Sequence, residues 1–451
     1  MAFLTHNIAL VALWFCLLTA VTSSPLVEKS KTGKTFSMPI AHNADAPRHG
    51  PSDALLTMQK FNLTIPDHLQ KAVDDHQTKT ANKASQESGS TVPAASFGGD
   101  LMWLSEASVG TPPQKLNLDF DTGSSDTWVF STDTKRAYVD GQTLYDPSKS
   151  SSSSLIDNCT WSIMYGDFST SQGICYKDTF TLGDLAIPDM TIESAVQLSR
   201  MFSETKEMSG IVGLGWPKIK QTVPAQKCLL EFLGDVLESP VFTVDMVHNK
   251  TGTFNFGYVD DKLHQAPIAY TSVDNAKGFW MVQNTAFAIG DSDYAYSFTT
   301  TKKVIVDTGS TLMFAPDESV KTYMASVNGS QFSYEQGGWI IPCAVTPPQF
   351  LWEISDDNGD KVQGYVPGSY IIYAHATDDM CFAGLQPLGG AEDFDGIFGD
   401  IFLKSAFAVF DIGNKKFGAG PKVLNLSNDK RDLKGDVARA PQWPSQRVPI
   451  A

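Results

Sequence analysis

The string Phe120-Asp121-Thr122-Gly123-Ser124-Ser125 returns as Val306-Asp307-Thr308-Gly309-Ser310-Thr311, 186 residues later. A second string returns at the same offset: Ile211-Val212-Gly213-Leu214-Gly215 answers to Ile397-Phe398-Gly399-Asp400-Ile401. In each half the Asp and the apolar-apolar-Gly unit therefore stand 90 residues apart. Average residue usage gives one Asp-Thr-Gly by chance about 0.1 times in a chain of this length, so a coupled duplicate is strong evidence where a single copy is weak. Two related lobes follow. Each Asp ends an apolar run, Leu116, Leu118 and Phe120 in one half and Val304, Ile305 and Val306 in the other. In this reading Gly permits the tight turn, while Thr and Ser hydroxyls hydrogen-bond backbone and carboxylate at the bend. Lobes meeting about an approximate twofold axis bring Asp121 and Asp307 face to face. Two carboxylates that close cannot both ionise cheaply, so one keeps a proton while the other is charged. Such a pair holds a water between a general base and a general acid, without metal, cofactor or covalent intermediate.

Around this repeat, the chain from Trp103 on reads as β structure. Short β-branched and aromatic runs such as Thr179 to Leu182, Val241 to Met246, Thr253 to Tyr258 and Ala406 to Phe410 alternate with Gly, Pro, Asn and Asp turns. Helical patterning is rare; the best instance is Ala225 to Leu237, where Leu229, Phe232, Leu233 and Val236 make one apolar stripe suited to core packing. The length, 451 residues, allows two or three compact units, and 42% hydrophobic residues can fill their cores. The formal charge of -16 repels phosphate backbones and anionic lipid alike, which argues against nucleic-acid and membrane partners. No Cys or His cluster has metal-ligand spacing, and no Ser or Cys nucleophile motif is present.

The N-terminal region reads differently. Ile8 to Val21 is an apolar run followed by Thr22, Ser23 and Ser24, too short to span a membrane and suited to a secretory signal over residues 1–23. Residues 24–95 then read as a removable leader. Pro25 to Ala95 holds eight Lys plus Arg against seven Asp plus Glu, together with His42, His49, His68 and His76, whereas the body that follows is strongly anionic. Such a leader should bind the body at neutral pH and loosen in acid, as carboxylates are neutralised and its histidines charge; a solvated extension is the alternative. Ala81 to Ser96 reads as an exposed linker open to cleavage.

With these residues in view, the sequence resembles the pepsin-like aspartic peptidases of family A1, particularly the secreted fungal type. The resemblance covers Trp103 to about Val423 and rests on FDTGSSDTWVF at Phe120, MYGDFS at Met164, VDTGST at Val306 and IFGDIFL at Ile397. Pepsin is itself the standing illustration of a carboxylate dyad sharing one proton. The resemblance implies an all-β-dominated bilobal fold with a central cleft, an N-terminal lobe over 96–285 and a C-terminal lobe over 286–424. It implies hydrolysis of protein peptide bonds in acid by Asp121 and Asp307, with hydrophobic residues preferred around the scissile bond. By the same match Gly123, Tyr165, Gly166, Asp167, Gly309 and Thr311 would meet substrate, Ser124 and Ser310 would support the dyad, and Trp128 would back a hairpin flap carrying Tyr165. Where the family usually has Gly in that flap, this chain has Phe168. Asp167 either admits Lys on the acyl side of the scissile bond or merely suits the turn. A pepsin-fold binding protein without catalysis is the competing reading, and both Asp residues and Tyr165 stand against it.

Five cysteines remain after the signal. Cys159 and Cys175 are equidistant from Asp167, so a hairpin turning there sets them opposite each other within disulfide reach, and a secreted chain should oxidise them. Cys343 and Cys381 match the disulfide of the family's second lobe, which leaves Cys228 as a buried thiol. Asn62, Asn249, Asn328 and Asn425 open glycan acceptor sequences. Residues 425–451 are polar and Pro-containing and read as a disordered tail. The expected protein is a secreted, extracellular monomer, or one delivered to a vacuole, acting on proteins and peptides and held inactive by its own leader.

Overall fold

A computed structural model describes residues 33–42, 48–87, 103–164, 170–203, 205–265, 267–424 and 442–450. The expected signal segment lies outside them. Strands dominate, and they assemble into sheets of 14, 8 and 4 strands.

The sequence repeat becomes a structural one. The strand Gln114–Asp121 runs parallel to Gly210–Gly213, with Leu118 beside Gly210 and Asp121 beside Gly213, and Thr127–Val129 pairs antiparallel with the same short strand. In the second lobe Tyr294–Val306 runs parallel to Gly396–Phe398, with Val304 beside Gly396, and Met313–Ala315 pairs antiparallel with it. The two recurring strings are thus spatial neighbours in each lobe, which accounts for their common offset. Their glycines are there for closeness. A Cβ on Gly213 would fall 2.5 Å from the Ser125 backbone, and one on Gly399 would fall 2.1 Å from the Ser310 carbonyl oxygen.

The leader is built into the largest sheet. Its strand Phe36–His42 pairs antiparallel with Gly252–Phe256 and, through Ala41 and His42, with Trp103–Val109. Ile40 is fully buried and Phe36 stacks on Phe256 at 4.8 Å. Two helices follow, Gly50–Lys60 and Asp67–Glu87. The sequence reading made no helix expectation for this stretch, and Gly50–Lys60 shows why: it buries Ser52, Asp53, Thr57 and Gln59 along with Ala54, Leu55 and Met58. A half-polar buried face leaves no clear apolar stripe. Its start is nonetheless well signalled: His49 caps it, accepting from the Ser52 amide, and Pro51 stands in the first turn. The linker expected from Ala81 is helical as far as Glu87.

Three further expectations shift. The helix expected at Ala225 begins at Leu229, capped by Cys228, whose amide donates to Glu231 Oε2 at 2.9 Å. The boundary drawn at 285/286 cuts the strand Met281–Ile289, which pairs with Tyr294–Val306 and Phe350–Ser355 and therefore belongs to the second lobe. The tail expected to be disordered over 425–451 contains the strand Gln446–Ile450, running parallel to Tyr294–Phe298. Alternation of Val448 and Ile450 with Arg447 and Pro449 is a strand pattern that the surrounding prolines obscure.

The cysteines pair as expected. Cys159–Cys175 has Cα atoms 5.5 Å apart and Cys343–Cys381 5.0 Å. Cys228 is free and buried, and burial, the largest influence, pushes its thiol up to about 11. Among the described residues no helix is long and apolar enough to cross a membrane.

Candidate active site

Asp121 and Asp307 sit at the ends of their two strands, both buried, at the junction of the lobes. Their surroundings are near copies of each other. Gly123 N donates to Asp121 Oδ1 at 2.8 Å and Ser124 Oγ to Asp121 Oδ2 at 2.6 Å. Gly309 N donates to Asp307 Oδ1 at 3.0 Å and Ser310 Oγ to Asp307 Oδ2 at 2.5 Å. Between the Asp and the Gly of each turn the threonines reach across. Thr122 Oγ1 donates to Val306 O at 2.9 Å and accepts from Thr308 N at 3.0 Å, while Thr308 Oγ1 donates to Phe120 O at 2.6 Å and accepts from Thr122 N at 3.0 Å. The hydroxyls therefore tie one lobe to the other, where the sequence reading had them bracing their own turn. The glycines also act across the junction. Neither Gly123 nor Gly309 takes positive φ; a Cβ on either would fall 2.5 Å from the opposite aspartate's Oδ1. Close approach of the carboxylates, not turn geometry, requires Gly at both positions.

A lysine of the leader occupies the dyad. Lys60 Nζ lies 2.7 Å from Asp121 Oδ1 and 2.8 and 3.0 Å from the two oxygens of Asp307. Burial, the largest influence on each carboxyl, pushes both up. For Asp121 the Lys60 ammonium, the Asp307 carboxyl and the Ser124 hydroxyl outweigh it and hold the group below the usual carboxylate range. Asp307 stays up, at about 6, with the Asp121 charge adding to burial against the pull of Lys60. The pair thus has one charged and one protonated member at mildly acidic pH. Burial disfavours the Lys60 charge, but the two carboxylates more than offset it and hold the ammonium above its ordinary value. Sequence reasoning had the leader bind the body without finding Lys60, because the helix that ends on Lys60 has no apolar stripe to announce it.

Beside the dyad lies a cavity of 570 Å³ whose wall includes Trp128, Ile163, Met164, Phe202, Met208 and Phe279, together with Lys60 and Phe61 of the leader. Phe61 meets Phe279 and Phe394 at ring distances of 5.5 and 5.7 Å. Trp128 is buried and stacks on Trp161 of the strand Ser154–Met164, one of the two strands that lead to the expected hairpin tip. That strand pairs with Thr170–Leu182, with Met164 opposite Thr170. Tyr165, Gly166, Asp167 and Phe168, expected at the hairpin tip, lie outside the described residues, as does Asn425. Thr311 is fully buried, its carbonyl accepting from Ile401 N at 3.1 Å, and forms no part of the cavity wall. Asn62 and Asn328 are exposed; Asn249 is half-buried and accepts from Arg48 of the leader at 3.4 Å.

Two acids in the cavity wall went unnoticed. Asp119 stands two residues before Asp121, hence on the same strand face, and a period of two was enough to find it. It is buried with Oδ1 unpartnered, and burial, then the Asp121 charge, raises its carboxyl well above the usual range. Asp126 is raised likewise by burial and then by Glu193, the two sharing the buried Lys220 at 3.9 and 2.5 Å. Among the described residues, the one group with metal-ligand spacing is Cys343, His375 and Cys381, and its cysteines are joined to each other, which leaves no thiolate to ligate.

Residues 102–422 match a family model described as "Eukaryotic aspartyl protease". Over 396 residues the chain is 37% identical to endothiapepsin of Cryphonectria parasitica, covering 87% of this chain and 90% of the relative. It is 34% identical to podosporapepsin of Podospora anserina over 88% of the chain and 92% of that protein. Identity to aspergillopepsin-1 of Aspergillus oryzae is 33%, over 91% and 98%.

Proposed function

Since the chain belongs to the eukaryotic aspartyl protease family and is an aspartic-type endopeptidase, we propose that it is made as a self-inhibited precursor and cuts proteins in acid through Asp121 and Asp307. The observation that carries this reading is the pair of matching turns whose carboxylates grip one leader ammonium at 2.7 and 2.8 Å. Withdrawal of Lys60 leaves two buried carboxyls sharing one proton, with hydrogen-bond donors fixed behind them. The charged member takes a proton from a water as it attacks the scissile carbonyl carbon; the protonated member donates to the carbonyl oxygen as it becomes a hydroxyl. Ser124 and Ser310, aimed at the outer oxygens, keep both carboxyl planes in place through the transfer.

The leader inhibits by substitution. Lys60 neutralises the dyad and Phe61 fills an aromatic pocket, so no peptide can lie across the aspartates while the helix Gly50–Lys60 is docked. The apolar wall of the cavity favours hydrophobic side chains next to the scissile bond. Asp167 at the flap tip would let Lys be accepted on its acyl side. Secretion as a monomer, with glycans on Asn62, Asn249, Asn328 and Asn425, completes the reading.

Casein digestion from pH 2 to 8, by intact precursor and by the acid-shortened form, tests it. Digestion should be confined to the shortened form, peak in acid and vanish with a statine-type transition-state mimic; intact precursor that digests as fast would remove the inhibition. In a peptide library, the ratio of cleavage after Lys to cleavage after Leu should fall in Asp167→Ala. An unchanged ratio would make Asp167 a turn residue only.

A further inference from the structure

The strand Gln446–Ile450 lies beyond the 102–422 span that matches the family, yet it is fitted to the second lobe by three independent contacts. Its backbone pairs with the first half of Tyr294–Val306, register Ala295 to Arg447 and Phe298 to Ile450. Gly396–Phe398 pairs on that strand only at Val304–Val306, so residues 294–298 would otherwise present unpaired edge groups. Arg447 Nη2 and Nη1 donate to the two carboxylate oxygens of Glu353 at 2.7 and 3.3 Å. Glu353 is buried in the strand Phe350–Ser355, where Thr285 and Gln363 also donate to it. Trp443 covers a small buried apolar cluster of Ala288, Ala295 and Leu351, and the Arg447 guanidinium lies 5.3 Å from its ring centre. The small side chains leave room on that face for the flat Trp ring and the Arg stem.

We propose that this face of the second lobe is a second peptide-binding site, separate from the catalytic cavity, that recognises an extended Trp-x-x-x-Arg peptide and is filled by the chain's own residues 442–450. Backbone pairing along 294–298 supplies affinity in the manner of strand addition; the Ala-lined patch and Glu353 read Trp and Arg. The occupied edge ends nine residues before Asp307, and none of its residues lines the cavity beside the dyad. Occupation of the site is thus separable from catalysis.

The test uses the full-length precursor at pH 7 and a fluorescein-labelled peptide with the sequence of residues 442–451. Trp443→Ala/Arg447→Ala, which weakens the internal occupant, should bind the peptide at least ten-fold tighter than wild type, whose site is filled. The same peptide carrying Arg447→Met should lose at least ten-fold in affinity for that variant. A double variant that keeps the wild-type circular dichroism yet binds no better than wild type overturns the proposal. Should the double variant fail to fold, hydrogen exchange in Arg447→Met decides. Amides of 446–450 should exchange at least ten-fold faster than in wild type while those of Gln114–Asp121 hold, and unchanged protection at 446–450 overturns the site.

Discussion

Matching turns carry Asp121 and Asp307, yet unequal surroundings hold Asp121 below and Asp307 above the usual carboxylate range, and the proposed mechanism rests on that inequality. Asn at either position can still accept from the Gly amide at its one oxygen, as Oδ1 does now, and turn its NH2 toward the Ser hydroxyl, but it cannot share the proton. Asp121→Asn or Asp307→Asn should therefore abolish peptide hydrolysis with little change in the thermal unfolding midpoint; a pure variant retaining more than a few per cent of activity would sink the assignment. Asp126 tests a different consequence of burial. With Glu193 it places two carboxylates on the single ammonium of Lys220, and its carboxyl is raised, by burial first and Glu193 second. An acid whose folded pKa lies above the unfolded one favours the fold below the unfolded value, and that support is lost as pH rises through the folded value, since the native state then holds the extra proton. Part of the loss of stability from pH 4 toward neutrality should come from this residue. Asp126→Asn can still accept from Gln221 N, as Asp126 Oδ1 does at 2.8 Å, and should narrow the difference between urea midpoints at pH 4 and pH 7. An undiminished difference would assign the effect elsewhere.

In the proposed activation the leader's first helix acts from its two ends: Lys60 at one sits on the dyad, and His49 at the other caps it. The His49 ring stacks on His76 of the second helix at 3.7 Å, and its Nδ1 lies 2.8 Å from Ser52 Oγ. Burial first, and then His76, lower its pKa to about 3. Once the leader is released the ring regains an ordinary value near 6.5. Between those values the released state binds a proton that the docked state refuses, so docking weakens as pH falls below about 6.5. His49→Asn keeps a good helix cap without the titration. Leader removal at pH 4.5 should then slow several-fold, with no change at pH 7, as followed by gel mobility; an unaltered time course at pH 4.5 would clear His49 of the role. These elements also show what could be read from sequence alone. The hairpin was legible because Cys159 and Cys175 stand symmetrically about its tip, and the lobes because their turns repeat. The helix Gly50–Lys60 was not, since its buried Ser52, Asp53 and Gln59 find partners such as Tyr373, whose hydroxyl donates to Asp53 at 2.6 Å, hundreds of residues away. The last strand was hidden for the same reason. Arg447 reads as a solvated charge until Glu353, alone among apolar neighbours in Phe350–Ser355, is placed opposite it.

At the scale of the whole molecule, the central sheet joins residues from all parts of the chain. Gly252–Phe256 pairs with Val241–Asp245, which pairs with Phe407–Asp411, and the leader strand Phe36–His42 links this group to Trp103–Val109 of the first lobe. Pairings so distant in sequence cost loop-closure entropy before any contact offsets it, and sheets of this kind form slowly. In the precursor the leader strand offers edges to both groups at once and buries Met38 and Ile40 between them. Its first helix meanwhile reaches the dyad, where Lys60 neutralises carboxylates that would repel each other at neutral pH. A chain begun at Ser96 would have to bring the same strands together without that template and with Asp119, Asp121 and Asp307 facing one another uncompensated. Refolding from urea at pH 7 should therefore give at least several-fold less active enzyme from the chain lacking residues 25–95 than from the full precursor after acid activation. Adding a separate peptide of residues 33–87 during refolding should restore much of the difference, because strand and helices dock through contacts that need no covalent link. Equal yields with and without the leader would confine its role to inhibition, and a yield that the added peptide leaves unchanged would mean that the leader assists only when it is part of the chain.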